Sequence, residues 1–202
     1  MDSPDSFSRR TFVKTLALAG AGTAISGNIF AQENLPARKI KLGLDNFSVR
    51  SMKWNASQLI DYAASLKTDS LFITELDAFE SFDETYLKNL RRKAADNELQ
   101  LQVGTWSICP TSKAFKNNHG TAEEHLALGI RVAKALGSPV IRVILGTGED
   151  RKTDGGIEAR IADTVKVCQA CRAQAVDSGV KIAVENHAGD MQAWELVTLI
   201  EA

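Results

Sequence analysis

The residue with the clearest chemical potential is Glu185, which ends an apolar segment. It follows the run VKIAV (180–184), whose length and β-branched content predict a buried strand. A carboxylate in that position is poorly explained by packing, because an ionised group is costly to bury without a partner. Carboxylates placed this way serve as general bases or as ligands of hard divalent cations. An ion pair, or an exit of the side chain to solvent, is the alternative for Glu185.

Two further polar residues belong to the predicted strands. His187 lies two positions after Glu185, so both side chains point to the same side of an extended backbone. It could bind substrate or support Glu185, or be an ordinary loop histidine. Arg142 interrupts the apolar run VIRVI (140–144), which predicts a buried cation that needs a partner. We expect Arg142 to orient a substrate oxygen or a carboxylate, or to form an internal ion pair with Glu75 or Glu185.

Glu75 and Trp106 are weaker candidates for a binding role. Glu75 ends a predicted strand as Glu185 does, and Trp106 comes just past the next predicted strand. The alternatives are a solvated carboxylate and ordinary aromatic packing. The other two histidines receive no role, since His119 lies in a polar loop and His125 in a predicted helix.

Strand-like and helix-like segments alternate from residue 40 onward, as in βαβ units of a parallel sheet. Predicted strands cover 40–44, 70–75, 99–105, 139–145 and 180–187, and predicted helices cover 55–66, 83–97, 121–136, 156–178 and a segment from about 191. Asn55 is a predicted N-cap, and Thr121 with Glu124 forms a capping box. Because the last helix has no terminating signal, we expect the natural protein to be longer.

Two α/β folds fit this spacing. Five βα units complete a five-stranded, flavodoxin-like doubly wound sheet. They also form the first five of the eight units of a parallel (β/α) barrel of the TIM type. Periodicity alone does not separate the two folds.

A resemblance to the xylose isomerase-like family of TIM barrels, the sugar phosphate isomerases/epimerases, favours the incomplete barrel. Four segments carry it: KLGLDNFSVR (41–50), LFITEL (71–76), AKALGSPVIRV (133–143) and GVKIAVENH (179–187). They resemble, in order, the first strand and its loop, the second strand, the passage into the fourth strand, and the fifth strand of that family, and the match runs from about residue 40 to the end. The resemblance implies a barrel of which about five of eight βα units are present.

The resemblance also implies a metal-dependent sugar isomerase or epimerase. In the family, a glutamate on the fifth strand binds a divalent metal together with Asp, His and Glu from later strands. Glu185 matches the first of these ligands, and the sequence ends before the other three, so we expect the 202-residue chain itself to be inactive. The metal would be Mn²⁺, Mg²⁺ or Co²⁺.

The chemistry of such a reaction suggests roles for the candidate residues. A proton leaves a carbon next to a carbonyl, and negative charge develops on oxygen as an enediolate. Glu185 is the catalytic candidate and the metal-ligand candidate. The substrate-binding candidates are His187, Arg142, Glu75 and Trp106, the last as an apolar wall for a sugar ring.

The N-terminus resembles a twin-arginine secretion signal. Paired arginines, Arg9 and Arg10, precede TFVK (11–14) and a mildly apolar run (16–30) too short for a comfortable membrane span. We predict a signal peptide over 1–31, a linker over 32–39 and the barrel over 40–202. The predicted partners are a small sugar and the twin-arginine export machinery, with membrane contact only during export and a periplasmic or otherwise exported destination.

Composition narrows the remaining function classes. The net charge is −1 and only three histidines are present, which argues against nucleic-acid binding and against phosphodiester cleavage on the same barrel. Cys168 and Cys171 form a C-x-x-C in mid-helix, where we expect packing rather than redox chemistry. A sugar dehydratase or lyase, and a non-catalytic exported sugar-binding protein, remain alternatives. A homo-oligomer is left open.

Overall fold

The computed structural model describes residues 40–202 of the protein. The predicted signal peptide and linker lie outside these residues and stay predictions. Within the described range, no helix is both long and apolar enough to cross a membrane.

Five strands alternate with five α-helices, as the sequence pattern predicts. The strands are β1 (Gly43–Asp45), β2 (Ser70–Ile73), β3 (Gln100–Ser107), β4 (Val140–Ile144) and β5 (Lys181–Glu185). The helices are α1 (Ala56–Ser65), α2 (Glu84–Asp96), α3 (Ala122–Leu136), α4 (Gly156–Ser178) and α5 (Ala193–Glu201). A 3-10 helix over Asn46–Met52, which the sequence pattern did not predict, follows β1.

Local signals explain the main helix boundaries. Asn55 and Gln58 cap α1 reciprocally, and Thr121 and Glu124 do the same for α3. Gly137 ends α3 with a φ of 75°, a left-handed conformation that glycine adopts without a steric penalty. These features confirm the capping predictions.

The order of the strands decides between the two predicted folds. All neighbouring strands are parallel, and their order in the sheet is β1-β2-β3-β4-β5. A flavodoxin-like sheet reverses direction after its first strands, whereas here each crossover advances by one strand in the same direction. Right-handed crossovers that all advance one way place their helices on one face of the sheet. The fold is therefore an incomplete (β/α) barrel with five of eight units, and the flavodoxin-like alternative is wrong.

The two faces of the sheet differ in burial. The outer face, which packs against the helices, contributes fully buried side chains: Leu71, Ile73, Val103, Ile141 and Val143. Residues of opposite parity form the inner face, and two of them, Phe72 and Arg142, are only partly buried. This inner face is where the interior of a closed barrel would lie.

The C-x-x-C pair lies in the middle of α4. Burial raises the pKa of the Cys168 thiol to about 11 and also raises the pKa of Cys171. A thiol that stays protonated is a poor nucleophile and a poor metal ligand. Cys171 belongs to the hydrophobic core and Cys168 packs against it, which confirms the prediction that the two cysteines pack.

Candidate active site

An ion pair joins β4 to β5 on the inner face of the sheet. Arg142 Nε lies 3.2 Å from Glu185 Oε2, and the side chains are 14% and 45% exposed, respectively. Arg142 Nη1 donates a hydrogen bond of 2.9 Å to the Thr105 carbonyl. Within residues 40–202, Arg142 Nε has charge contact with Glu185 but no well-aligned hydrogen bond. Of the two partners predicted for Arg142, the structure selects Glu185.

The electrostatic surroundings of Arg142 are predominantly acidic. Burial lowers the pKa of Arg142, while Glu185, Asp45 and Glu75 each act to raise it. These carboxylates come from the end of β1, the segment after β2 and the end of β5. The guanidinium carbon also lies 5.1 Å from the centre of the Phe72 ring. One partly buried cation is thus placed among three carboxylates at the carboxyl ends of the strands.

Trp106 and His187 form a second contact at the same edge. Their rings meet edge to face, with centroids 5.1 Å apart and an interplanar angle of 74°. Trp106 lies inside β3, not just past it as predicted, because β3 runs on to Ser107 through a register shift against β4. The shift is a local irregularity of the kind that redirects side chains.

The orientation of His187 is fixed by the main chain. Its Nδ1 lies 3.2 Å from the Gly146 carbonyl oxygen, which can only accept, so Nδ1 carries the proton in this contact. The neutral ring then has its lone pair on Nε2. His187 can therefore accept a proton or a hydroxyl hydrogen through Nε2.

A buried aspartate that the sequence reasoning missed holds His187 in place. Asp190 is fully buried and accepts from His187 N at 2.7 Å and from Gly146 N at 3.1 Å. Burial raises the pKa of Asp190, and these main-chain donors oppose the increase. Asp190 thus joins the loop after β4 to the loop after β5.

Asp150 likewise joins two loops, the one after β3 and the one after β4. It is fully buried and accepts from Ser112 Oγ at 2.8 Å, Lys113 N at 3.0 Å and Thr147 N at 2.9 Å. The chain passes so close to Asp150 at Gly146 that a Cβ atom there would overlap the carboxylate. These contacts fix the loop after β3 against the loop after β4 beside the candidate site.

Replacing Gly146 by alanine is expected to destabilise the protein by about 1–3 kcal/mol, because the new methyl group must displace Asp150 or Ser112. Urea unfolding followed by circular dichroism measures the loss. Gly148→Ala is the matched control, since a Cβ at Gly148 meets nothing closer than 3.4 Å. Equal stability of the two variants would contradict the close approach at Gly146.

The carboxylate of Glu75 has no bonding partner among the described residues. No hydrogen bond or ion pair to that carboxylate is made by any other residue between 40 and 202. The side chain is partly buried and lines a small cavity of about 20 Å³ with Trp106, His119 and His125. That space is about the size of one water molecule.

The two histidines that received no role lie beside this small cavity. His125 Nε2 is 2.5 Å from Thr105 Oγ1, and His119 Nε2 is 3.3 Å from Asp77 Oδ1. The two rings are 5.0 Å apart. Their contact joins α3 to the loop before it, and no local pattern in the sequence predicts this contact.

We expect His125 to stay neutral down to unusually low pH. Burial and the neighbouring His119 lower its pKa from 6.5 to about 4, with Asp77 acting in the opposite direction. Between these two values the unfolded chain binds more protons, so stability falls as the pH decreases from about 6.5 to about 4. An NMR titration of the ring protons checks this, and a midpoint near 6.5 would contradict it.

The predicted metal site is not formed by the described residues. Between residues 40 and 202, no group of three or more His, Cys, Asp or Glu side chains could hold a metal ion. Glu185 is also engaged with Arg142. The divalent metal therefore stays a prediction from the family resemblance.

A large cavity lies away from these residues. It measures about 720 Å³ and lies between α4, α5 and the free edge of β5. Its lining is mostly apolar, with Val176, Val180 and Ile182 among the contributors, and includes no carboxylate side chain from the described part of the chain. Its titratable side chains are Cys168, Arg172 and Lys181, and no carboxylate or histidine side chain among residues 40–202 faces it as a base, so we place the chemistry elsewhere.

Comparison with known proteins gives a structural likeness without a sequence match. No family model and no curated protein matches the sequence. A proposed sugar phosphate isomerase/epimerase from Anabaena variabilis superposes with a TM-score of 0.53 at 14% identity, over 80% of this chain and 60% of that one. This chain thus spans about 60% of the length of that protein.

A type I 3-dehydroquinate dehydratase from Clostridium difficile gives a TM-score of 0.35 at 11% identity, over 70% of this chain and 60% of that one. A superposition that loose supports no argument. The likeness to the Anabaena protein, at its low identity, shows a shared α/β fold and nothing about activity.

Proposed function

We propose that this protein is a carbohydrate isomerase or epimerase that uses Glu185 as its base. The observation that carries the proposal is the Glu185–Arg142 pair on the inner face, where the strands end. Active sites of (β/α) barrels lie at this end of the strands. The Anabaena protein, a proposed sugar phosphate isomerase/epimerase, belongs to the same reaction class.

The proposed reaction moves hydrogen within the sugar and leaves its composition unchanged. Glu185 takes the proton from the carbon next to the carbonyl, and the C–H electrons move toward the carbonyl oxygen to give an enediolate. In an isomerisation the proton returns to the former carbonyl carbon, while the hydroxyl proton of the neighbouring carbon passes to the former carbonyl oxygen and a new carbonyl forms. In an epimerisation the proton instead returns to the other face of the same carbon. A base held in position for this proton transfer raises the reaction rate by about 10²- to 10⁴-fold.

Arg142 is proposed to stabilise the enediolate. Only its Nη1 is engaged in a hydrogen bond with another residue of the range 40–202, so donors remain for a substrate oxygen. The guanidinium is held by Thr105 and Phe72 before substrate arrives. Each hydrogen-bond donor that is held in place where charge develops raises the reaction rate by about 10²- to 10³-fold.

The remaining candidates are proposed to position the sugar. Trp106 offers an aromatic surface, His187 presents Nε2, and the free carboxylate of Glu75 can accept from hydroxyl groups. We also propose that the protein is exported to the periplasm by the twin-arginine machinery, as the N-terminal pattern suggests. A divalent metal would need ligands beyond Glu185, and no step above depends on one.

The test is solvent exchange with the protein purified from the cells that make it. A panel of aldoses and ketoses is incubated in deuterium oxide, and NMR follows deuterium at the carbon next to the carbonyl. Exchange with recovery of an isomeric sugar is expected. Formation of a deoxy-keto product would indicate the dehydratase alternative, and binding without exchange would indicate a sugar-binding protein.

The 202-residue chain by itself is expected to bind sugar without exchange. The inner face is open to solvent beside β5, which is an edge of the sheet and carries a Glu185 side chain that is 45% exposed. Water at the reacting carbons weakens every electrostatic interaction there. Exchange catalysed by the 202-residue chain would show that five units suffice.

A further inference from the structure

Another cavity lies at the carboxyl ends of β1 and β2, and it is larger than the small cavity beside Trp106. It measures about 300 Å³, the lower end of the range for small-molecule sites. Its lining includes Asn46, Phe47, Arg50, Lys53 and Trp54, together with two carboxylates, Glu75 and Asp77, the second of which contacts His119. We refer to it as the β1–β2 cavity.

Two cations of the β1–β2 cavity, Arg50 and Lys53, have no anionic partner in the described part of the chain. Arg50 donates from Nη1 to the Phe47 carbonyl at 2.9 Å and lies 4.1 Å from the centre of the Phe47 ring. No carboxylate in the range 40–202 lies within 4 Å of Arg50 or Lys53. Both side chains are therefore available to an anionic group of a ligand.

The same cavity offers polar groups for hydroxyls. Asn46 Oδ1 accepts from Thr74 N and Thr74 Oγ1, both at 2.9 Å, which fixes the amide and leaves its NH₂ group without a partner among residues 40–202. The Glu75 carboxylate is also unengaged. A fixed donor, a free acceptor and the rings of Phe47 and Trp54 suit the alternating polar and apolar faces of a sugar.

Glu75 connects this cavity to the proposed active site. It lines the β1–β2 cavity and the small cavity that contains Trp106. It is also close enough to Arg142 to act on the pKa of that guanidinium. A ligand in the β1–β2 cavity would therefore lie next to the carboxylates that surround Arg142.

We propose that the β1–β2 cavity binds the anionic end of the substrate, with Arg50 and Lys53 contacting a phosphate or carboxylate group. This inference rests on the proposed function, because it assigns the substrate to sugars with an anionic terminus. The reacting carbons would lie toward Arg142 and Glu185, beyond Glu75.

Binding to the 202-residue chain tests the proposal. Glucose 6-phosphate, gluconate, glucose and inorganic phosphate are titrated separately, and NMR follows the indole N–H of Trp54 and the amides of residues 46–53. The indole signal is assigned by its loss in Trp54→Phe. We expect an anionic sugar to bind at least tenfold more tightly than glucose, and the comparison of phosphate with carboxylate identifies the preferred group.

Matched variants separate the cavity from general surface charge. Arg50→Gln with Lys53→Gln is expected to weaken binding of the anionic sugar at least tenfold. The control is Arg92→Gln with Lys67→Gln. Arg92 matches Arg50 because it also donates a hydrogen bond to the residue three positions before it, here Asn89, and Lys67 matches Lys53 because both have a positive φ. The control should bind within twofold of the original chain. Because both pairs include exposed side chains, loss of folding is not expected to obscure the result.

Two outcomes would overturn the proposal. One is equal affinity for glucose and the anionic sugars, and the other is inorganic phosphate binding as tightly as the sugar phosphate, which would indicate an adventitious ion only. Failure of the proposed function looks different, since the anionic sugar would still bind in the cavity while the protein from its own cells exchanges no C–H. Exchange without anion preference would instead remove the subsite and keep the function.

Discussion

Replacing Glu185 by glutamine is expected to lower the rate of C–H exchange by about 10²- to 10⁴-fold in the protein purified from its cells. The amide keeps the size of the side chain but cannot take a proton from carbon. The substitution is introduced in the gene, and exchange is followed by NMR in deuterium oxide. Sugar affinity is expected to change far less than the rate, because other residues are proposed to bind the sugar.

Glu201→Gln is the matched control for this prediction. Glu201 is an exposed glutamate near the end of α5, and it makes no hydrogen bond or ion pair through its carboxylate with the other residues from 40 to 202. Its replacement should leave the exchange rate within twofold. If Glu185→Gln exchanged as fast as the control, Glu185 would not be the base.

Replacing Arg142 by methionine is expected to lower the exchange rate by about 10²- to 10³-fold. Methionine fills a similar volume against Phe72 but brings no charge to the developing enediolate. The variant also leaves Glu185 and the Thr105 carbonyl without their partner. Steady-state kinetics should therefore show a loss in kcat that exceeds any change in KM.

Arg142→Lys and Arg131→Met provide the comparisons. Lysine keeps the charge without the planar fork, so an intermediate rate is expected. Arg131 also donates to a main-chain carbonyl, that of Phe82 at 2.8 Å, but it lies on α3 on the helix side of the sheet. Unchanged kcat in Arg142→Met, or an equal loss in Arg131→Met, would refute the role of Arg142.

Much of the fold could be predicted because its signals are local. Caps at Asn55 and Thr121 and the glycine at 137 set helix ends through contacts within a few residues. Periodicity then gave the alternation of strands and helices. It could not give the order of the strands, because neighbours in the sheet are a long-range property that no single segment encodes.

The site was predictable in part, for a similar reason. A charged residue inside an apolar strand needs a partner, so an internal ion pair was one of the two roles predicted for Arg142. The structure was needed to show that this pair forms and that its partner is Glu185 rather than Glu75. Asp150 and Asp190 could not be found this way. They lie in polar loop sequences typical of solvent exposure, and they are buried only because loops from different units meet there.

The most direct test of the central claim is a crystal structure of the Glu185→Gln protein with the sugar that shows exchange. We expect the carbonyl oxygen of the sugar to lie within about 3 Å of the Arg142 guanidinium and the neighbouring carbon to face position 185. A sugar bound only in the apolar cavity between α4 and α5, with the inner face empty, would contradict it.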